Sequence, residues 1–74
     1  MSDQYNLQEA ILNEVRKDKV PVTLFLMNGF QLRGTILSFD QFAVLVLSDN
    51  RQNLIYKHAI STIQPAEPVK MSGT

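Results

Sequence analysis

Val22-Thr23-Leu24-Phe25-Leu26-Met27-Asn28-Gly29-Phe30-Gln31-Leu32-Arg33-Gly34 is the stretch from which the fold is read. Val22 to Met27 is β-branched or apolar throughout, which favours a strand. Asn28-Gly29 follows, the strongest short hairpin signal, because both residue types tolerate positive φ. A second strand is expected from Phe30 to Phe39, with a bend or bulge where Gly34 interrupts it. A two-residue turn sets Met27 opposite Phe30 and Phe25 opposite Leu32. Those four side chains then share one face, and Leu24, Leu26, Gln31 and Arg33 share the other. The first strand is therefore apolar on both sides. One side faces a core, and the other needs cover or a ligand.

The same punctuation recurs downstream. Asp40-Gln41 and Ser48-Asp49-Asn50 mark turns, which leaves strands at Ala43 to Leu47 and Gln52 to Tyr56. Lys57-His58 interrupts, and Ala59 to Gln64 makes a short fifth strand. Upstream, residues 6 to 18 read as one amphipathic helix: Leu7, Ile11 and Val15 recur at helical spacing with Leu12 beside them. Asn6 suits the cap, Glu9 stands where a capping-box acid belongs, and Pro21 prevents continuation. Gln8 projects onto the apolar side of the first turn, either as part of a frayed start or as an amide held where the helix meets a ligand.

The expected fold is mainly β with one N-terminal α-helix, its five antiparallel strands strongly bent into a small barrel. The folded domain is expected over residues 1–65, with a short flexible tail at 66–74.

A chain of 74 residues forms one domain and buries a small core. Small domains draw support from disulfides, metals or partner subunits. Cysteine is absent and His58 is the sole histidine, so self-association is the remaining source. The fourth and fifth strands bear few charges and no proline that would block pairing with another chain. Identical chains joined head to tail along such edges close into a ring where the rotation permits. The amino terminus carries no basic region followed by an apolar run, and the apolar stretches are too short to span a bilayer, so a cytoplasmic protein with no membrane partner is expected.

Seven basic residues balance seven acidic ones, which by itself argues against a nucleic-acid partner. The distribution argues the other way: from Lys19 to Phe39 there is no acid, so a neutral subunit still presents a basic face. No phosphate loop or nucleophile motif occurs, and no acid neighbours His58 in sequence, although Asp40 or Glu9 could approach it in the fold; catalysis is not expected. Phe25 and Phe30 read either as core or as platforms on which unpaired bases stack. Gln41-Phe42 and Lys57-His58, both at turns, couple a polar or cationic group to a flat ring. That suits single-stranded RNA, but composition alone favours an ordinary polar turn at Lys57-His58.

Two strings decide between these readings. Val20 to Gly34 resembles the first Sm signature of Hfq, the bacterial Sm-like RNA chaperone family. Ile55-Tyr56-Lys57-His58-Ala59-Ile60-Ser61-Thr62 resembles the second, and Ser38-Phe39-Asp40-Gln41-Phe42 is similar as well. The resemblance covers residues 7 to about 65. It implies an Sm fold, a homohexameric ring in which the fourth strand pairs with a neighbour's fifth, and a regulator that helps small regulatory RNAs pair with mRNAs. No cofactor, metal or enzymatic activity is implied. For a proximal RNA face taking uridine-rich ends, the resemblance implies Gln8, Phe39, Gln41, Phe42, Tyr56, Lys57 and His58. For a distal, adenine-rich face it implies Phe25, Leu26, Asn28, Gly29, Phe30, Gln31, Leu32, Arg33, Asn53 and Thr62. Arg33 is similar to the Gram-positive branch, and Asn53 stands where glutamine is usual, so its amide reaches less far. A basic rim is implied at Asn13, Arg16, Lys17 and Lys19. A ring serving as a protein scaffold is the competing reading, and the intact set Gln41, Phe42, Lys57 and His58 argues against it.

Overall fold

The computed structural model describes residues 7–69. Helix α1 (Leu7–Asp18) precedes strands β1 (Val22–Leu26), β2 (Gln31–Phe39), β3 (Ala43–Ser48), β4 (Arg51–Tyr56) and β5 (Ile60–Pro65), with one 3₁₀ turn at Lys57–Ala59. The strands form one antiparallel sheet in the order β4-β3-β2-β1-β5. The helix and all five strands lie where the sequence pattern places them, within a residue or so at each end. Asn6, the expected helix cap, and residues 70–74 of the expected tail lie outside the described residues.

β2 belongs to two halves of the sheet. Val22 to Phe25 of β1 pair with Gln31 to Gly34, whereas Thr35 to Phe39 pair with β3. The change of partner falls at Gly34, and a bulge follows between Ile36 and Ser38. A Cβ added at Gly34 would run into the carbonyl oxygen of Leu47 on β3. Glycine is required there for close approach of two backbones, which lets the sheet fold over on itself. Leu12 and Val15 of α1 meet Val22, Leu24, Ile36, Val44 and Val46 in one core cluster among the described residues. Burying each such side chain contributes about 1.5–3 kcal/mol. The helix presents Leu12 and Val15 to that core; Ile11 is half-buried and Leu7 exposed.

The hairpin register differs from the expected one. Leu24 stands opposite Leu32, and Phe25 opposite Gln31. The connection is a three-residue loop, Met27-Asn28-Gly29, closed by Gly29 N–H to Leu26 O (2.9 Å) and Leu26 N–H to Phe30 O (2.8 Å). Gly29 alone takes positive φ, at 92°. Asn28 instead accepts the Phe30 N–H through Oδ1 at 3.0 Å. This arrangement suits a turn followed by a glycine bulge. The physical reason is burial. The two-residue register would set fully buried Leu24 against Arg33, and a slip of one residue moves every side chain to the other face. The tight two-residue geometry appears elsewhere, at Asp49-Asn50, where both residues have positive φ (53° and 62°) and Ser48 pairs with Arg51.

The helix ends with Lys19 in the left-handed region, φ 55°. Val20 N–H donates to Val15 O at 3.0 Å, and Lys19 N–H to Arg16 O at 3.4 Å. That is the Schellman pattern, with lysine where glycine is usual. Beyond β5, Ala66 N–H donates to Pro21 O at 2.8 Å and Val69 packs against the core cluster, so the chain stays on the body that far.

Candidate nucleic-acid interface

The β4–β5 turn and the β2–β3 turn are joined to each other. Lys57 N–H donates to Phe42 O at 2.8 Å. Asp40 shapes the second turn: its Oδ1 accepts from Phe42 N–H at 2.7 Å and from Ala43 N–H at 2.8 Å. Those two bonds, the first above all, hold the Asp40 carboxyl below its usual value; partial desolvation opposes them and the Lys57 charge adds a smaller effect in the same direction.

Lys57 is not a solvated turn residue. Its side chain is 9% exposed, its Nζ lies 3.1 Å from Glu9 Oε2 on α1, and the same Nζ sits 5.3 Å from the centroid of the Phe39 ring. Burying an ammonium demands such partners. Around this buried cation the rings are open. Phe42 is 66% exposed, Gln41 beside it is exposed, and the exposed Tyr56 stacks on His58 with ring centroids 6.0 Å apart and planes at 11°. Phe39, Gln41, Phe42, Tyr56, Lys57 and His58 therefore gather at two linked turns. Gln8 points elsewhere within the subunit. It lines an apolar groove between α1 and β5 with Leu7, Ile11, Ile60, Ser61, Thr62 and Ile63.

The second cluster follows from the corrected register. Thr62, Phe25 and Gln31 stand in one row across β5, β1 and β2, with Gln64, Thr23 and Arg33 in the row two residues along. Opposed residues share a face, so Phe25, Gln31, Arg33 and Thr62 line one side of the sheet. Leu32 lies opposite core residue Leu24 instead, and Leu26 is half-buried among residues packed on the core. Asn28, Gly29 and Phe30 form the hairpin tip, where Phe30 is 69% exposed and Met27 N–H is tied to Ala59 O at 2.8 Å. Asn53 is not brought to this cluster. It lies on β4, at the far end of the sheet order from β5, with its Nδ2 donating to Arg51 O at 3.2 Å.

The third group lies along the last turns of α1. Arg16 donates to Asn13 Oδ1 at 2.6 Å, and Lys17 pairs with Glu14 at 3.4 Å. Arg16, Lys17 and Lys19 border a groove floored by Thr35, Ile36, Leu37 and Leu47. The sequence offers Glu9 as a helix-start acid that could approach His58 in the fold, whereas the structure sets it against Lys57; the sequence marks Leu37 only as a strand residue. An acid one turn into a helix gives no sign of a lysine 48 positions away.

Among the described residues no three potential metal ligands gather, and no helix is long and apolar enough to cross a membrane. A sheet of five bent antiparallel strands with one helix on its core, presenting open rings around a buried lysine at linked turns, has the Sm-like architecture. The chain belongs to the Hfq family: the family model for Hfq protein matches residues 7–70. The RNA-binding protein Hfq of Syntrophomonas wolfei is 57% identical over 68 residues, covering 92% of this chain and 83% of the relative. That of a Ruegeria species is 59% identical over 70 residues, with 95% and 89% covered. The chain superposes on a crystal structure of the pleiotropic translational regulator Hfq with a TM-score of 0.77 at 42% identity, covering 80% of this chain and 98% of the other. An Hfq protein from Anabaena gives 0.72 at 32% identity, covering 80% and 95%.

Proposed function

We propose that this protein is a cytoplasmic RNA-binding post-transcriptional regulator. As a homohexameric ring it binds single-stranded RNA and promotes pairing of small regulatory RNAs with mRNAs. The observation that carries the reading is the turn cluster: Phe42, Tyr56 and His58 offer open rings, Gln41 an amide and Lys57 a donor within one site. Unpaired bases stack on such rings and are read along their edges by such donors and acceptors. The relatives at 55–59% identity are RNA-binding proteins, which supports the same partner here.

The ring reading rests on the sheet order. Among the described residues β4 and β5 each pair on one side only, and a head-to-tail contact between them satisfies both edges. Such a contact would bring a neighbour's β4, with Asn53, beside the Thr62–Phe25–Gln31 row. The same contact would bring a neighbour's Tyr56 and Lys57 toward Gln8. Uridine-rich RNA is then assigned to the face of Lys57 and Phe42, and adenine-rich RNA to the face of Phe25, Phe30 and Gln31. Arg16, Lys17, Lys19 and Asn13 form a rim that meets phosphate. Titration of the purified ring with short U-rich and A-rich RNAs at two salt concentrations tests this. Binding of neither RNA would overturn it.

A further inference from the structure

Lys57 is the cation at the centre of the aromatic cluster, and phosphate is the obvious partner for such a lysine. Its surroundings point to a different partner. The ammonium is almost wholly buried and already holds a carboxylate at 3.1 Å. The Asp40 carboxyl is near enough to feel its charge. One buried cation thus holds Glu9 from the helix at contact distance, and the Asp40 charge from the β2–β3 turn acts on it more weakly. Phe39 covers a further side of the ammonium. An arriving phosphate would meet the Glu9 charge beside the ammonium, and would have to displace that partly exposed carboxylate from a lysine that is itself buried. An uncharged acceptor, such as a base carbonyl or a ribose hydroxyl, meets neither obstacle. It needs only one of the remaining N–H directions of the ammonium.

The geometry points to Glu9 as a specificity-determining positioning residue: by neutralising Lys57 it makes this site select uncharged nucleotide edges over phosphate. This rests on the reading of the turn cluster as an RNA site. Binding there then releases few counterions. Its affinity depends weakly on salt, while contacts at the Arg16–Lys17–Lys19 rim carry most of the salt dependence.

Two measurements test this. The first needs no RNA. In the intact wild-type protein, acetylation of Lys57 by an amine-reactive ester, followed by peptide mass spectrometry, is expected to be at least tenfold slower than that of exposed Lys17. In Glu9→Gln it approaches the Lys17 rate, and in Glu9→Asp it stays slow. Equal rates for Lys57 and Lys17 in the wild type would overturn the inference. The second is titration with a six-nucleotide uridine RNA across about 50 to 200 mM salt. For Glu9→Gln the slope of log affinity against log salt is expected to steepen by about 0.7 for every phosphate a released Lys57 meets, a further loss of about 2.6-fold over that range. Glu9→Asp should keep the wild-type slope. A merely structural role for Glu9 would weaken binding at all salt concentrations and leave the slope unchanged, and that result overturns the inference. Failure of the wild type to bind uridine RNA at low salt overturns the site reading and this inference together. Binding with coincident slopes overturns this inference alone.

Discussion

Gly34 lies so close to the carbonyl oxygen of Leu47 that the first carbon of any side chain would collide with it. The obstacle is backbone, which cannot swing aside as a side chain would, and it sits where β2 changes partner from β1 to β3. Gly34→Ala should destabilise the protein by about 1–3 kcal/mol, the range for forcing extra atoms into a packed interior. Urea unfolding at fixed protein concentration measures it. An unchanged midpoint would mean that the two halves of the sheet are not held together at this point.

Lys19 carries the opposite prediction. It occupies the left-handed position that ends α1, with φ 55°. A side chain there costs about 1 kcal/mol relative to glycine. Lys19→Gly should therefore raise the unfolding midpoint while removing one rim charge. A fall in stability would show that the lysine side chain makes a compensating contact.

Acid should weaken the β2–β3 turn. The Asp40 carboxyl is held below its ordinary value of 3.8, first by the Phe42 and Ala43 N–H groups, then by the Lys57 charge. A carboxyl depressed in the folded state binds protons more readily when unfolded. Its contribution is therefore complete above 3.8 and is lost as pH falls through the lower folded value. Asp40→Asn keeps an oxygen that can accept both bonds but removes the charge. The stability gap between wild type and Asp40→Asn should be constant near neutrality and shrink below about pH 4. A gap independent of pH down to 2.5 would contradict this.

The two ring clusters should be separable. Lys57→Ala and Phe42→Ala are expected to weaken U-rich RNA and spare A-rich RNA. Phe30→Ala should do the reverse, each lost stack costing about 1–3 kcal/mol. Fluorescence anisotropy with both RNAs reads the outcome. Equal weakening of both RNAs by every variant, with the oligomer intact, would remove the assignment of two faces.

Annealing of paired RNAs should be weak. The rim has one arginine, and it is turned toward Asn13, while Lys17 is engaged by Glu14. Lysine meets phosphate as a compact charge and arginine as a planar fork. Replacing Lys17 and Lys19 with arginine should speed pairing of two complementary fluorescent RNAs in stopped flow without changing affinity for short U-rich RNA. Strong acceleration by the wild type with no gain from the arginines would show that rim composition is not limiting.

The element order was legible because each boundary carries local chemistry: Pro21, Asn28-Gly29, Asp40 and Ser48-Asp49-Asn50 all punctuate the chain. The register of the first hairpin was not, because Asn28-Gly29 serves two- and three-residue loops alike. Burial of Leu24 opposite Leu32 decides between them, and that is a tertiary fact. Aromatic and cationic residues of the turn cluster were visible as residue types at turns. Which of them would be buried was not. Lys57 reads as a surface lysine until Glu9, 48 residues earlier, is placed beside it. Lys19 illustrates the same limit, since nothing local marks a lysine as taking the left-handed position at a helix end.

The sheet order β4-β3-β2-β1-β5 leaves each subunit with two unlike borders, both half-paired among the described residues. In the ring proposed above, every border is satisfied by another copy, and a chain with so small a core draws part of its stability from that union. Dilution then acts as a denaturant. Melting temperature should rise with protein concentration, as mass action demands of a fold completed by its own neighbours. A cell holding few copies would possess less folded protein than their number suggests, so expression level would govern conformation as well as abundance.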